Sequence, residues 1–122
     1  MLKALVIDDE RLILDMVEGV LRRFGFSVET ASDGKEGINK FDNNNFDLVI
    51  TDICMPKIDG NGVARHIRIS GKQNIPIIGI SGTPWLAQSD DFDTILLKPF
   101  SIKALVDSAI SMTASLPHAF AN

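Results

Sequence analysis

A chain of 122 residues suits one domain around one core. Apolar residues at 45% and charged residues at 23% describe an ordinary folded protein, whose longest apolar runs, at about six residues, are too short to span a bilayer. Sixteen acidic against twelve basic residues give a formal net charge of -4 and no basic stripe, which argues against nucleic-acid binding through this domain.

The single cysteine, Cys54, cannot close an intramolecular disulfide, and no Cys/His cluster suggests zinc. The opening MLKALVIDDE turns acidic within a few residues and lacks a signal-peptide pattern, so a cytoplasmic location and no membrane contact are expected.

Residues 2–7 form a short apolar run ended by Asp8, Asp9 and Glu10. Over 11–24 the apolar positions Ile13, Met16, Val17, Val20, Leu21 and Phe24 recur at helical spacing, and Gly25 stands where a C-terminal cap glycine belongs. Residues 27–31 read as a strand, Ser32-Asp33-Gly34 as a turn, and 35–41 as a second helix stopped by Asp42 and the asparagines after it. A strand over 47–51 runs into Asp52 and a loop carrying Met55-Pro56 and Asp59-Gly60, before a third helix over about 60–69. Further strands are predicted over 75–80 and 94–97, with Pro76 tolerable near the start of the first. Ser101 is a plausible N-cap for a last helix with apolar Ile102, Leu105, Val106, Ala109 and Ile110. The domain is placed at 1–114 and a short tail, broken by Pro117, at 115–122.

Apolar strands without alternation, separated by helix-length segments, indicate a parallel sheet covered on both faces. The expected fold is α/β, a doubly wound five-stranded parallel sheet, in which functional groups gather beyond the carboxyl ends of the strands. There the first strand delivers Asp8 and Asp9, the third Asp52, the fourth Ser81 and the fifth Lys98. Three adjacent carboxylates repel and one ammonium cannot neutralise them, so a hard divalent cation such as Mg²⁺ is the natural missing member. Taken singly, an Asp-Asp pair reads as a solvated turn, Asp52 as a cap, Ser81 as a loop hydroxyl and Lys98 as a surface charge; the conjunction at successive strand ends argues otherwise.

The order IDD, TDICMPKIDG, IGISG, LLKPF resembles the receiver domain of two-component response regulators, the CheY-like (flavodoxin-like) family, over residues 2 to about 112. The resemblance implies that Asp52 is the phosphoacceptor, taking a phosphoryl group from the phosphohistidine of a histidine kinase or histidine phosphotransfer protein. It implies Mg²⁺ held by Asp9, by Asp8 through water, by Asp52 and by the backbone carbonyl of Cys54. Lys98 matches the lysine that pairs with the acceptor and then with the phosphoryl group, and Lys98-Pro99 matches a cis peptide. Ser81 matches the switch hydroxyl, while Cys54 and Thr83 flank the phosphoryl group and tune its lifetime.

Two departures stand out. Three residues before Lys98 the family usually carries an aromatic switch residue, and here that position is Ile95, with Phe92 or Trp85 as conceivable substitutes. Only sixteen residues separate Ser81 from Lys98, so the fourth helix is expected to be shortened or irregular: Pro84 starts one or two turns that Ser89-Asp90-Asp91 interrupts. Trp85 is either an exposed contact or a loop anchor on the core. His66 and His118 read as surface residues without a role.

The resulting reading is a phosphorylation-controlled module whose output is an altered contact with a downstream protein that the sequence does not name. It is not an enzyme turning over small substrates, since an aspartate-nucleophile phosphatase typically places a second Asp two residues after the nucleophile, where this chain has Cys54. A phosphorelay intermediate or phosphate sink, a phosphorylation-independent interaction module, a fragment of a longer regulator and a homodimer all stay open.

Overall fold

The computed structural model describes residues 1–72, 74–86 and 89–114; His118 and the predicted tail lie outside them. Five parallel strands, β1 (Lys3–Ile7), β2 (Ser27–Ala31), β3 (Leu48–Asp52), β4 (Ile77–Ser81) and β5 (Thr94–Leu97), form one sheet in the order β2-β1-β3-β4-β5. The chain moves outward from β1 to β2, then crosses back to place β3 on the other side of β1. The sheet's switch point therefore lies between β1 and β3, and a crevice opens beyond their carboxyl ends.

Both sheet faces are covered, which is why the strands do not alternate with polar residues. On one face Ala4, Val6, Leu48, Ile50, Ile78 and Ile80 pack against α1 (Arg11–Arg23) and the C-terminal helix α4 (Ile102–Thr113). On the other, Leu5, Ile7, Val49 and Ile77 meet Phe41 of α2 (Gly34–Asn43) and Val63, Ala64 and Ile67 of α3 (Gly60–Arg68). Neighbouring residues of one strand thus feed different cores. Among the described residues no helix is long and apolar enough to cross a membrane.

Local chemistry sets the boundaries. Helix α1 stops because Gly25 takes φ +92, letting the Gly25 and Phe26 amides bond back to Arg22 and Leu21 carbonyls. Helix α2 begins one residue earlier than predicted because the Asp33 carboxylate accepts from the Glu36 amide at 2.7 Å. It also extends through Asn43, whose side chain bonds back to the Asn39 carbonyl instead of ending the helix. Strand β3 runs one residue beyond its predicted end, so Asp52 belongs to the ladder, opposite Ile80. Strand β4 starts at Ile77, two residues later than predicted, since the Ile75 amide closes a turn onto Lys72 and Pro76 has no N–H to offer.

Between β4 and β5 there is no α-helix among the described residues, only two 3-10 turns, Pro84–Leu86 and Ser89–Asp91. The shortened connection is as predicted, although Ser89-Asp90-Asp91 builds a turn of its own where an interruption was expected. Helix α3 anchors both. The Asn61 amide donates to the Leu86 carbonyl at 2.8 Å, and Arg68 donates to the Asp91 and Ile75 carbonyls and to the Asp93 carboxylate at 2.8–3.0 Å.

Candidate functional site

Register decides what meets at the crevice. Ile7 pairs with Thr51, so Asp8 leaves β1 beside Asp52 at the end of β3. Ser81 ends β4 one residue beyond Ile80, the partner of Asp52, and Lys98 directly follows β5. Sequence separations of up to ninety residues collapse into one site because all strands are parallel and end together.

Carboxylate oxygens of Asp8, Asp9 and Asp52 lie within 4.8 Å of one another. Asp8 and Asp52 are buried at 1% and 3% exposure, whereas Asp9 is exposed at the rim. The Lys98 ammonium is 3.2 Å from Asp52 Oδ1, 3.9 Å from Asp8 Oδ2 and 3.2 Å from Glu10 Oε1. Asp8 Oδ1 accepts from the Glu10 amide at 2.8 Å, while buried Asp8 Oδ2 has no hydrogen-bond partner among the described residues. An orphaned carboxylate oxygen beside two more carboxylates fits an oxygen-seeking divalent cation better than any protein donor present.

The electrostatics agree. Burial pushes the Asp8 carboxyl up to about 6, with the neighbouring Asp52 charge adding to it and the Glu10 amide and Lys98 opposing. Burial also raises Asp52, against the pull of Lys98 and with help from Asp9 and Glu10. Burial works to lower the Lys98 ammonium, but Asp8, Asp52 and Glu10 together outweigh it and hold the group above its ordinary value. The site therefore carries more negative charge than its one lysine can balance.

The loop leaving Asp52 folds tightly back on it. A Cβ at Gly60 would stand 2.3 Å from the Asp52 carbonyl oxygen and 2.7 Å from Ile53 Cα, so glycine is required by close approach rather than by a left-handed turn. The left-handed residue in this loop is Lys57, at φ 66. The Gly60 amide donates to the Ile53 carbonyl, and Asp59 caps α3 by accepting from Gly62.

At the other rim, buried Ser81 Oγ accepts from the Thr83 amide at 2.9 Å and lies 3.3 Å from Thr83 Oγ1. Thr83 Oγ1 in turn is 3.6 Å from the Cys54 thiol, which is exposed. Cys54 and Thr83 are thus brought together although 29 residues apart. The Lys98-Pro99 peptide is cis. Ile95, opposite Gly79 in β5, projects into the space where a Gly79 side chain would stand, as does buried Phe92. Trp85 is 76% exposed, so its indole is no loop anchor on the core. His66 lies 2.8 Å from Asp42 across α3 and α2, a surface pair away from the site.

One member of the site was not singled out in the sequence. Glu10 reads there only as the end of an acidic run, and its contact with Lys98 spans 88 positions. No local pattern carries that information.

The family described as "Response regulator receiver domain" matches residues 4–110. A probable transcriptional regulator, ycf27, from Guillardia theta is 40% identical over 111 residues, covering 84% of this chain and 42% of that protein. The chain therefore spans less than half the length of that regulator. Among solved structures, the response regulator TrrA of Thermotoga maritima in complex with Mg(2+)-BeF is 32% identical, with a TM-score of 0.79 over 92% of this chain and 99% of that one. Chemotaxis protein CheY4 of Vibrio cholerae is 28% identical, with a TM-score of 0.83 over 92% and 98%. Sequence, fold and topology agree, and the chain belongs to the CheY-like receiver domains of two-component response regulators.

Proposed function

We propose that this receiver accepts a phosphoryl group on Asp52 from the phosphohistidine of a sensor histidine kinase or histidine phosphotransfer protein. The observation that carries the reading is the Lys98 ammonium 3.2 Å from Asp52 Oδ1, beside a cluster of carboxylates that needs a cation. An Asp52 oxygen attacks phosphorus, the P–N bond breaks with its electron pair returning to the imidazole nitrogen, and an acyl phosphate forms. Asp8, Asp9 and Asp52, with the Cys54 carbonyl, would hold Mg²⁺, which supplies charge neutralisation for the incoming phosphoryl oxygens. The TrrA complex with Mg(2+)-BeF supports that assignment by likeness.

Lys98 keeps Asp52 ionised before transfer and turns to a phosphoryl oxygen afterwards. Ser81, whose Oγ accepts from Thr83 in this structure, donates its hydroxyl proton to the same group. Half-buried Ile95 has no ring to rotate, so the output change does not use an aromatic at that position. Signalling proceeds through altered contacts with a downstream protein, and the same chemistry serves a phosphorelay intermediate.

Incubation with acetyl phosphate, read by intact mass, tests this directly. Wild type gains one phosphoryl group only when Mg²⁺ is present, and Asp52→Asn gains none. A wild-type protein that stays unmodified, while a control receiver is phosphorylated, overturns the reading in favour of a phosphorylation-independent module.

A further inference from the structure

We propose that Glu10 is a positioning residue that shares the Lys98 ammonium with Asp52 and so loosens its hold on the Asp52 carboxylate, easing the approach of a divalent cation to that carboxylate. The inference rests on the metal-assisted phosphoacceptor reading of the site.

Glu10 occupies the N-cap of α1, where a side chain ordinarily bonds to the helix's free amides, yet it makes no cap hydrogen bond. Its carboxylate instead accepts from Lys98 Nζ at 3.2 Å, matching the distance from Lys98 to Asp52. Its backbone amide is committed to Asp8 Oδ1 at 2.8 Å. One residue therefore ties β1's buried carboxylate to the lysine after β5.

An ammonium has three donors and no acceptor, so its position is set by how its carboxylate neighbours share it. With Glu10 in reach, Lys98 is divided between a buried oxygen of Asp52 and an exposed one. Without it, the ammonium falls on Asp52 and Asp8 alone and opposes any cation approaching the same oxygens. Glu10 acts through its reach to Lys98 and not only through its charge, and that distinction can be measured.

Mg²⁺ dissociation constants would be determined by isothermal titration calorimetry for wild type, Glu10→Gln and Glu10→Asp, and for both substitutions in a Lys98→Met background. Glu10→Asp keeps the charge but withdraws it by one methylene. Glu10 is an exposed residue, so the fold should persist, and circular dichroism checks each variant. Both substitutions are expected to weaken Mg²⁺ binding about two- to fivefold in the presence of Lys98, the weight of one partly solvated ion pair. Glu10→Asp should have no effect once Lys98 is gone.

Glu10→Asp binding as tightly as wild type would show that charge alone matters and remove the role. So would a Glu10→Asp loss that persists without Lys98. A wild-type protein that binds no Mg²⁺ would overturn the metal-assisted reading itself.

Discussion

Replacing Asp8 by Asn should stabilise the metal-free domain at neutral pH, although it removes a site residue. The Asp8 carboxyl is raised from 3.8 to about 6, mainly by burial and then by the Asp52 charge. That rise, at about 1.4 kcal/mol for each tenfold change in the ionisation equilibrium, makes the ionised side chain cost the fold about 3 kcal/mol at pH 7. Asn retains an oxygen for the Glu10 amide, and the attraction of Lys98 at 3.9 Å is already contained in that rise. The gain is therefore about 3 kcal/mol, or about 1.5 M in the urea midpoint at a slope of about 2 kcal/mol per M. Between pH 3.8 and about 6 the folded carboxyl holds a proton that the unfolded one has released. Wild-type stability therefore falls as pH rises through that window, whereas the Asn variant lacks the Asp8 contribution and keeps only that of the other raised carboxyl, Asp52. Urea titrations in a chelator at pH 4 and pH 7 check this: the advantage of Asp8→Asn should be large at pH 7 and mostly gone at pH 4. An advantage that is absent, or equal at the two pH values, refutes the account of Asp8 as a strained, desolvated charge.

Other perturbations probe the frame around the site. Gly60→Ala forces a methyl into the Asp52 carbonyl and the Ile53 backbone, which cannot yield cheaply; a loss of about 2–3 kcal/mol in urea unfolding is expected, and an unchanged midpoint would show the loop has room. Arg68→Ala removes donors to Ile75, Asp91 and Asp93, and should cost about 2 kcal/mol. It should also speed hydrogen exchange at the Ile77 and Asp93 amides, which bridge β4 and β5; unaltered exchange would mean the turns hold without α3. Cys54→Asn, beside Thr83 at the mouth, should shorten the life of the phosphorylated protein by giving an attacking water a better partner than a thiol. Equal rates of phosphate loss would remove that idea.

The fold was legible because its signals are local and redundant. Strand runs such as LVIT show apolar residues on both faces, and structure explains this by two cores, with Val49 on one and Leu48 and Ile50 on the other. Gly25 and Ser101 announced caps that their backbones confirm. The errors lie where tertiary contacts overrule local preference. Asp52 looked like the residue after a strand, yet its ladder partner Ile80 makes it the last residue within one. The second 3-10 turn depends on Arg68, 23 positions from the Asp91 carbonyl it holds. Nothing near Ser89-Asp90-Asp91 in the sequence could reveal that anchor.

The site was legible as a set of positions but not as a charge distribution. Counting strand ends gives Asp8, Asp9, Asp52, Ser81 and Lys98, since a parallel sheet can bring those ends to one edge only. How one ammonium divides itself among Asp52, Glu10 and Asp8 depends on fractions of an ångström between elements remote in sequence. That division has energetic weight. A domain of this size is stable by about 5–15 kcal/mol, so about 3 kcal/mol lost at Asp8 alone is a sizeable fraction. The rigid strands keep the carboxylates from moving apart to relieve it, and the apolar cores on both sheet faces offset it. Any cation that binds the folded site and not the unfolded chain returns part of that loss as affinity. The repulsion that weakens the empty domain is thus the same term that would favour metal binding, and relaxing the site for stability would weaken the binding with it.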